Sequence, residues 1–372
     1  MQRRSFLRSG ISAGILGVGS LSLTRQSAVA AARQGDDTIR LSSNENPLGI
    51  SPLARQAIEE GIAQANRYPR LRSELMNAIA AREQVRPENV VLGAGSTEVL
   101  KMAVQRFATP GGHLILADPT YEDAGFYAGS MDLEMHRVPL RADMTHDLGA
   151  MRSLSESVSG PVCVYVCNPN NPTGTLTPCS LVDEWIESAS DRVHFLVDEA
   201  YFDFVQAPEY WTAIKWITEH RNVLVARTFS KVYGMAGIRL GYGIAHPETA
   251  RELRRLNVRN NANHFASVAA LASLRDQEFY ERSLRVNERG KEILYACLRE
   301  LDLEFFRSHT NFVMHRIGSD LRTYNAAMGE RGIRVGRPFP PMLGYSRLSI
   351  GLPAEMERFT ETLRAFRREG RV

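Results

Sequence analysis

Lysine is nearly missing from this chain. Of its 45 basic residues in 372, only Lys101, Lys215, Lys231 and Lys291 are lysines. Cysteine is equally scarce. Cys163, Cys167, Cys179 and Cys297 show neither metal-ligand spacing nor a disulfide framework. Cys163 and Cys167 sit on one face of an apparent strand, about 13 Å apart at strand rise, too far to bridge. Core thiols are the expectation, and no metal site is expected. No apolar run beyond residue 30 approaches the roughly 20 residues that cross a bilayer, so a soluble body is expected. There is no internal repeat and no low-complexity linker. What is present, 44% hydrophobic and 23% charged residues, is ordinary globular material for one large domain or two.

The first thirty residues differ in texture. Gln2-Arg3-Arg4-Ser5-Phe6-Leu7-Arg8 precedes a Gly-rich apolar run from Gly10 to Leu23, and Ala28-Val29-Ala30 follows. A charged start, a short apolar centre and an A-x-A step form a cleavable signal. The paired arginines resemble a twin-arginine signal, which exports folded proteins. Cleavage near Ala30 and a periplasmic or exported location are therefore expected, with a merely amphipathic or disordered tail, and a cytoplasmic protein, as the competing reading. Loss of Arg3, Arg4, Arg8 and Arg25, which no acid balances, takes the net charge from +3 to −1. A near-neutral remainder gives no footing for a nucleic-acid partner.

From about Tyr68, short apolar β-rich runs alternate with helical stretches. The strand candidates are residues 90–92, 113–117, 133–138, 162–166, 194–197, 223–226 and 241–245. Continuous apolar strands separated by helices predict an α/β fold, a mostly parallel seven-stranded sheet sandwiched by helices. After Pro247 longer helices take over, with short strands near 311–314 and 347–350, as in a smaller α+β domain. The expected division is a signal at 1–30, a segment at 31–67 joining the small domain and a lid, a large domain at 68–259 and a small one at 260–372.

Three islands stand where a strand has just ended, the usual ligand-binding edge of an open parallel sheet. They are PVCVYVCNPNNPTG from Pro161 to Gly174, FLVDEAY from Phe195 to Tyr201, and TFSK from Thr228 to Lys231 with Arg239 eight residues on. Their order resembles that of the class I/II aminotransferases, fold-type I enzymes dependent on pyridoxal phosphate. The resemblance spans about residues 41–366. LSSNENPLG at 41–49, GAGSTEVL at 93–100 and RLSIG at 347–351 are similar to the histidinol-phosphate aminotransferase-like branch.

The resemblance implies roles, each with a chemical reason. Lys231 matches the lysine that joins the cofactor's aldehyde as an imine and then moves a proton at the substrate Cα. Asp198 matches the carboxylate that keeps the pyridine nitrogen protonated, while Glu199 should point to the other face of the sheet. Tyr201 and Asn171 match donors to the cofactor's phenolic oxygen, and Tyr121 matches the aromatic stacked on the ring. Gly95, Ser96 and Thr97 open a helix whose free amides suit a phosphate. Thr228, Ser230 and Arg239 match its remaining ligands. Tyr68 resembles a tyrosine that reaches the neighbouring subunit's phosphate, so a homodimer is implied. Arg347 matches the clamp on the substrate carboxylate. Asn46, in the lid, and Arg337, for the substrate side chain, complete the candidate set.

The pattern departs in three places. Val335-Gly336-Arg337 stands where the family carries Val-Arg, which shifts the register of Arg337. Ser96-Thr97-Glu98 stands where the branch usually carries a small residue, then Asp, then Glu. Export is also unexpected for a histidine-biosynthetic enzyme. The resemblance therefore implies amino-group transfer between an L-amino acid, or a histidinol-phosphate-like amine, and a 2-oxo acid such as 2-oxoglutarate. A decarboxylase similar to those acting on threonine phosphate, or a non-catalytic ligand-binding protein, stays open at this point.

Overall fold

The apolar runs become strands of one sheet, because segments hydrophobic on both sides must be covered on both sides. The computed structural model describes residues 38–372, so the expected signal at 1–30 lies outside the described residues. β1 (Ile39–Arg40) leads to α1 (Pro52–Gly61) and α2 (Arg72–Glu83). There follow β2 (Val90–Gly93), α3 (Ser96–Ala108), β3 (His113–Asp118), α4 (Asp123–Ser130), β4 (Glu134–Pro139) and α5 (Leu148–Ser157). The alternation continues through β5 (Val162–Cys167), α6 (Cys179–Ser188), β6 (Val193–Asp198), β7 (Val223–Thr228) and β8 (Gly241–Ala245). These seven strands, β2 to β8, form a single sheet in the order β2-β8-β7-β6-β5-β3-β4. Only β8 runs against its neighbours. The mostly parallel α/β sheet expected from the sequence is the fold.

Beyond the sheet come α7 (Pro247–Leu256), α8 (His264–Ser273), α9 (Gln277–Glu300), β9 (Phe312–Arg316), α10 (Leu321–Glu330), β10 (Ile333–Arg334), β11 (Tyr345–Ser349) and α11 (Pro353–Arg368). β1 pairs in parallel with β10, and β9 antiparallel with β11. The N-terminal segment is thus tied to the C-terminal part of the chain. No helix among the described residues is long and apolar enough to cross a membrane.

Strand alternation sorts the core. Val162, Val164, Val166, Phe195, Val197, Val223 and Val225 face one side of the sheet, under α2, α5, α6 and α8. Cys163, Tyr165, Cys167, Leu196, Leu224 and Ala226 face the other, under α3, α4 and α7. All four cysteines are buried and free. A third core joins Ile39 and Leu41 to Leu294, Leu298, Val313, Met328 and Phe359. The division between cores does not fall at 259/260. Ala266, Ala269 and Ala270 of α8 pack into the sheet core, and the change of core comes within α9, before Leu294. α8 has no strong polar face, so its small residues settle against the sheet-side helices instead of opening a new domain.

The same alternation separates two neighbouring carboxylates. Asp198 follows Leu196 to the side of Tyr165, whose hydroxyl donates to it at 2.8 Å. Glu199 goes to the opposite side, as expected, and is buried against Arg227. The Arg227 guanidinium reaches Glu199 at 2.8 Å and Glu83 of α2 at 2.8 Å. Glu199 also accepts from Thr212 and the Ala213 N–H, and Glu83 accepts from Tyr242. Removing the arginine would leave two buried carboxylates without their cation. Arg227→Ala should therefore lower unfolding stability by about 3–5 kcal/mol in urea titration; a loss below about 1 kcal/mol would show that this clamp does not anchor β7 to α2.

Candidate active site

A cavity of about 670 Å³ opens at the C-terminal ends of the parallel strands. Every predicted site residue lines it except Gly95, Asn46 and Tyr68. Lys231 sits in the turn just after β7, where its amine is buried and donates to the Asn44 carbonyl at 3.4 Å. Burial, reinforced by the Arg347 guanidinium, lowers its ammonium from the ordinary 10.5 to about 8, while Asp198 pulls the other way. A nucleophilic neutral amine is thus available near neutral pH.

Asp198 ends β6 within the cavity. Burial raises its carboxyl to about 6, against the stabilising hydrogen bonds from Tyr165 and the Ala200 N–H at 3.1 Å. A cation or a protonated ring nitrogen placed beside it would hold it ionised. Tyr201, three residues on, has its hydroxyl approached by Asn44 Nδ2 at 3.0 Å and Asn171 Nδ2 at 3.4 Å. Burial pushes that phenol upward, so it is present as a donor.

Asn171 is held by a rigid loop. Asn170 bonds Thr120, Thr173 and the Pro119 carbonyl, and Asn168 exchanges two hydrogen bonds with Thr177. Asn171 Oδ1 in turn accepts from Arg347 Nη1 at 2.7 Å, while Nη2 donates to the Ser42 carbonyl at 3.0 Å. Arg347 Nε is buried without a hydrogen-bond partner among the described residues. Burial pulls this guanidinium down to about 10, countered by Tyr201, so it stays cationic. A buried planar cation with an unmet donor is a carboxylate or phosphate receptor.

The other end of the cavity is also built for an anion. Gly95 precedes α3 with φ +80, and no side chain among the described residues caps the helix. A Cβ at Gly95 would run into the Arg239 guanidinium, and one at Gly241 into the Ser96 backbone nitrogen. Both positions need glycine so that arginine and helix end can meet. Arg239 itself has φ +63, a conformation a bulky residue keeps only under constraint. Its guanidinium donates to the Ala236 carbonyl and faces the helix start. Ser96, Thr97, Thr228 and Ser230 surround the same corner. Free amides, hydroxyls and a guanidinium converge there, which suits a phosphate.

Tyr121 lines the wall, its hydroxyl donating to Asp123 at 2.8 Å; Thr97 donates to the same oxygen at 3.0 Å. Arg337 lies at the exposed rim, paired with Glu122 at 2.7 Å. Two candidates stand elsewhere. Asn46 donates to the Val232 carbonyl and to Ser283, so it fastens the N-terminal segment and does not face the cavity. Asn44 faces it instead, because φ +54 turns the backbone there. Tyr68 is 81% exposed and borders a separate hollow of about 870 Å³ between α1 and α8. That hollow is larger, but no lysine lines it and Glu60 is its one lining carboxylate. Asn44, Tyr165, Asn325 and Arg334 were missed from sequence; Tyr165 alone carried a signal, since strand parity puts it on the Asp198 side.

The chain is similar to proteins already known. The profile of the family "Aminotransferase class I and II" matches residues 36–363. Histidinol-phosphate aminotransferase of Moorella thermoacetica is 38% identical over 335 residues, 88% of this chain and 85% of that protein. The crystal structure of a candidate histidinol-phosphate aminotransferase from Erwinia carotovora atroseptica superposes with TM-score 0.88 at 35% identity, over 90% of this chain and 97% of that one. The Sinorhizobium meliloti histidinol-phosphate aminotransferase, solved with pyridoxal 5'-phosphate, gives TM-score 0.83 over 95% of this chain and 99% of that one. At 24% identity that last likeness speaks for the fold.

Proposed function

The chain belongs to the aminotransferase class I and II family, and for this pyridoxal-phosphate-dependent transaminase we propose that Lys231 carries the chemistry and that a histidinol-phosphate-like amine and 2-oxoglutarate are the substrates. The observation that supports this most is the buried amine of Lys231, lowered to about 8, in a cavity with an anion corner at each end. The relatives' names support the amine substrate.

The residues fit the cofactor. The helix start at Ser96–Thr97, with Thr228, Ser230 and Arg239, would hold its phosphate; Asp198 would hold its ring nitrogen, Tyr121 its ring face, and Tyr201 with Asn171 its phenolic oxygen. Bound there, pyridoxal phosphate supplies an aldehyde for the amine and a protonated ring that stabilises negative charge at the substrate Cα. Asp198 would keep that ring nitrogen protonated, since a buried carboxylate gains most from a nearby cation. With the cofactor bound, the free amine of Lys231 would take the proton from the substrate Cα and deliver it to the former aldehyde carbon, across the intervening nitrogen. Its lowered basicity lets it do both near neutral pH. Arg347 orients the substrate through its carboxylate or phosphate, and Arg337 at the rim reads the side chain. Asn44 and Asn171 hold the Tyr201 hydroxyl in place.

Two further proposals concern the assembly. A homodimer is supported by Tyr68, which is exposed and outside its own chain's cavity, free to serve a neighbour's. Export through a twin-arginine signal is supported by Arg3-Arg4, the apolar run and Ala28-Val29-Ala30. One experiment addresses both. The full chain, expressed in a host with that pathway, should appear in the periplasm as a dimer by light scattering, shortened by about thirty residues; a monomer, or protein found only in the cytoplasm, would remove the corresponding proposal.

The activity test is direct. Purified protein given histidinol phosphate and 2-oxoglutarate should form glutamate, and Lys231→Ala should cut kcat by at least about 10²–10⁴-fold with an unchanged far-UV circular dichroism spectrum. No glutamate formed, or a near-normal rate in Lys231→Ala, would contradict the proposal.

A further inference from the structure

The cavity occupies the C-terminal ends of the strands; the opposite end of the sheet carries an unrelated cluster. His113 opens β3, while Glu134 and His136 lie on β4, the edge strand, which pairs only with β3 among the described strands. The parallel register sets His113 opposite Glu134, and residues two apart on a strand share a face. The three side chains therefore gather at one corner of the sheet.

Their spacing is that of a coordination site. His113 Nδ1 lies 3.1 Å from His136 Nε2. The Glu134 carboxylate oxygens lie 3.4 Å from the first nitrogen and 3.8 Å from the second. Two ligand atoms held at about 2.0–2.1 Å on a tetrahedral zinc ion stand about 3.3 Å apart. The two nitrogens stand close to that separation, with one carboxylate oxygen beside each.

The tautomer suits a metal as well. His113 Nε2 lies 2.9 Å from the Ser159 carbonyl. A carbonyl only accepts, so Nε2 carries a proton, and in the neutral ring Nδ1 would aim a lone pair into the cluster. That leaves a conflict: the Glu134 carboxylate faces the same lone pair, acceptor against acceptor. A ring-to-ring hydrogen bond from His136 does not relieve it. A proton on Nδ1 would relieve it by making an ion pair, and a metal cation between the three ligands would relieve it while using all three. The two histidines are largely buried, with side chains 11% and 18% exposed, whereas Glu134 is 67% exposed. The exposed side is open to a water as the fourth ligand.

We propose that His113, Glu134 and His136 form a zinc site, separate from the cavity, that fastens edge strand β4 to β3. Two imidazoles and one carboxylate without thiolate are a donor set suited to zinc. Sequence alone did not announce it, because His113 stands 21 residues before Glu134.

Tag-free holoenzyme, dialysed against chelator, is titrated with zinc chloride by calorimetry and followed by thermal unfolding. One zinc per chain should bind, and Tm should climb with zinc concentration as ligand linkage requires. His113→Gln, His136→Gln and the conservative, exposed Glu134→Gln should each weaken binding by at least about tenfold. Transaminase activity and the cofactor's visible spectrum should not change, and His220→Gln, on another surface, should bind as the parent does. Absence of stoichiometric binding, as an imidazolium–carboxylate pair would give, overturns the proposal. So does undiminished binding in the Glu134→Gln and His136→Gln proteins.

Discussion

Adjacent buried carboxylates repel each other unless the backbone gives each a different environment, and the end of β6 does this. Strand alternation turns Asp198 into the cavity and Glu199 into the Arg227–Glu83 clamp. The two acids share a covalent neighbourhood and little else. Glu199 is neutralised by a guanidinium and two further donors, Thr212 and the Ala213 N–H, which fixes β6, β7 and α2 as one block. Asp198 is hydrogen-bonded but not ion-paired within the cavity, so burial raises its carboxyl to about 6. The structural acid makes the functional one possible. A rigid floor keeps a buried, charge-seeking carboxylate aimed at a ligand.

Around that floor, charge is distributed by position. Arg239 and the start of α3 make one anion corner, and Arg347 makes another across the cavity. Lys231 lies between them, so both the low dielectric and a neighbouring guanidinium depress its basicity. Burial and like charge act in the same direction and outweigh the attraction of Asp198. The close approach of Arg239 to Gly95, and of Gly241 to Ser96, depends on the missing side chains. These glycines belong to the site although neither carries a reactive group.

Much of this was legible in the sequence. Short β-rich runs located all seven strands of the sheet, the polar, partly exposed edge strand β4 among them, and parity along β6 separated Asp198 from Glu199 before any coordinates. The functional islands could be read because they fall at strand ends, where side-chain direction is fixed by the sheet. The segment LSSNENPLG was less readable. Its polar residues lie within a few positions, and the left-handed turn at Asn44, which no residue pattern specified, decides that Asn44 and not Asn46 faces the cavity. The destination of α8 was also hidden, since its small, evenly distributed apolar residues show no preferred partner. Arg334 and Asn325 reach the cavity only through the tertiary placement of α10 and β10. Pairings between distant segments, such as His113 with Glu134, leave no local trace at all.

The central physical claim is that one buried, weakened amine among four lysines is the group that meets the aldehyde. It is tested by treating cofactor-free protein with pyridoxal phosphate across a pH series, reducing with borohydride and mapping the labelled peptide. The adduct should lie on Lys231, with a rate that rises toward about pH 8 and flattens above it, as the amine becomes neutral. Label spread over Lys101 and Lys215, or a rate still climbing at about pH 10 as for an exposed lysine, would contradict it.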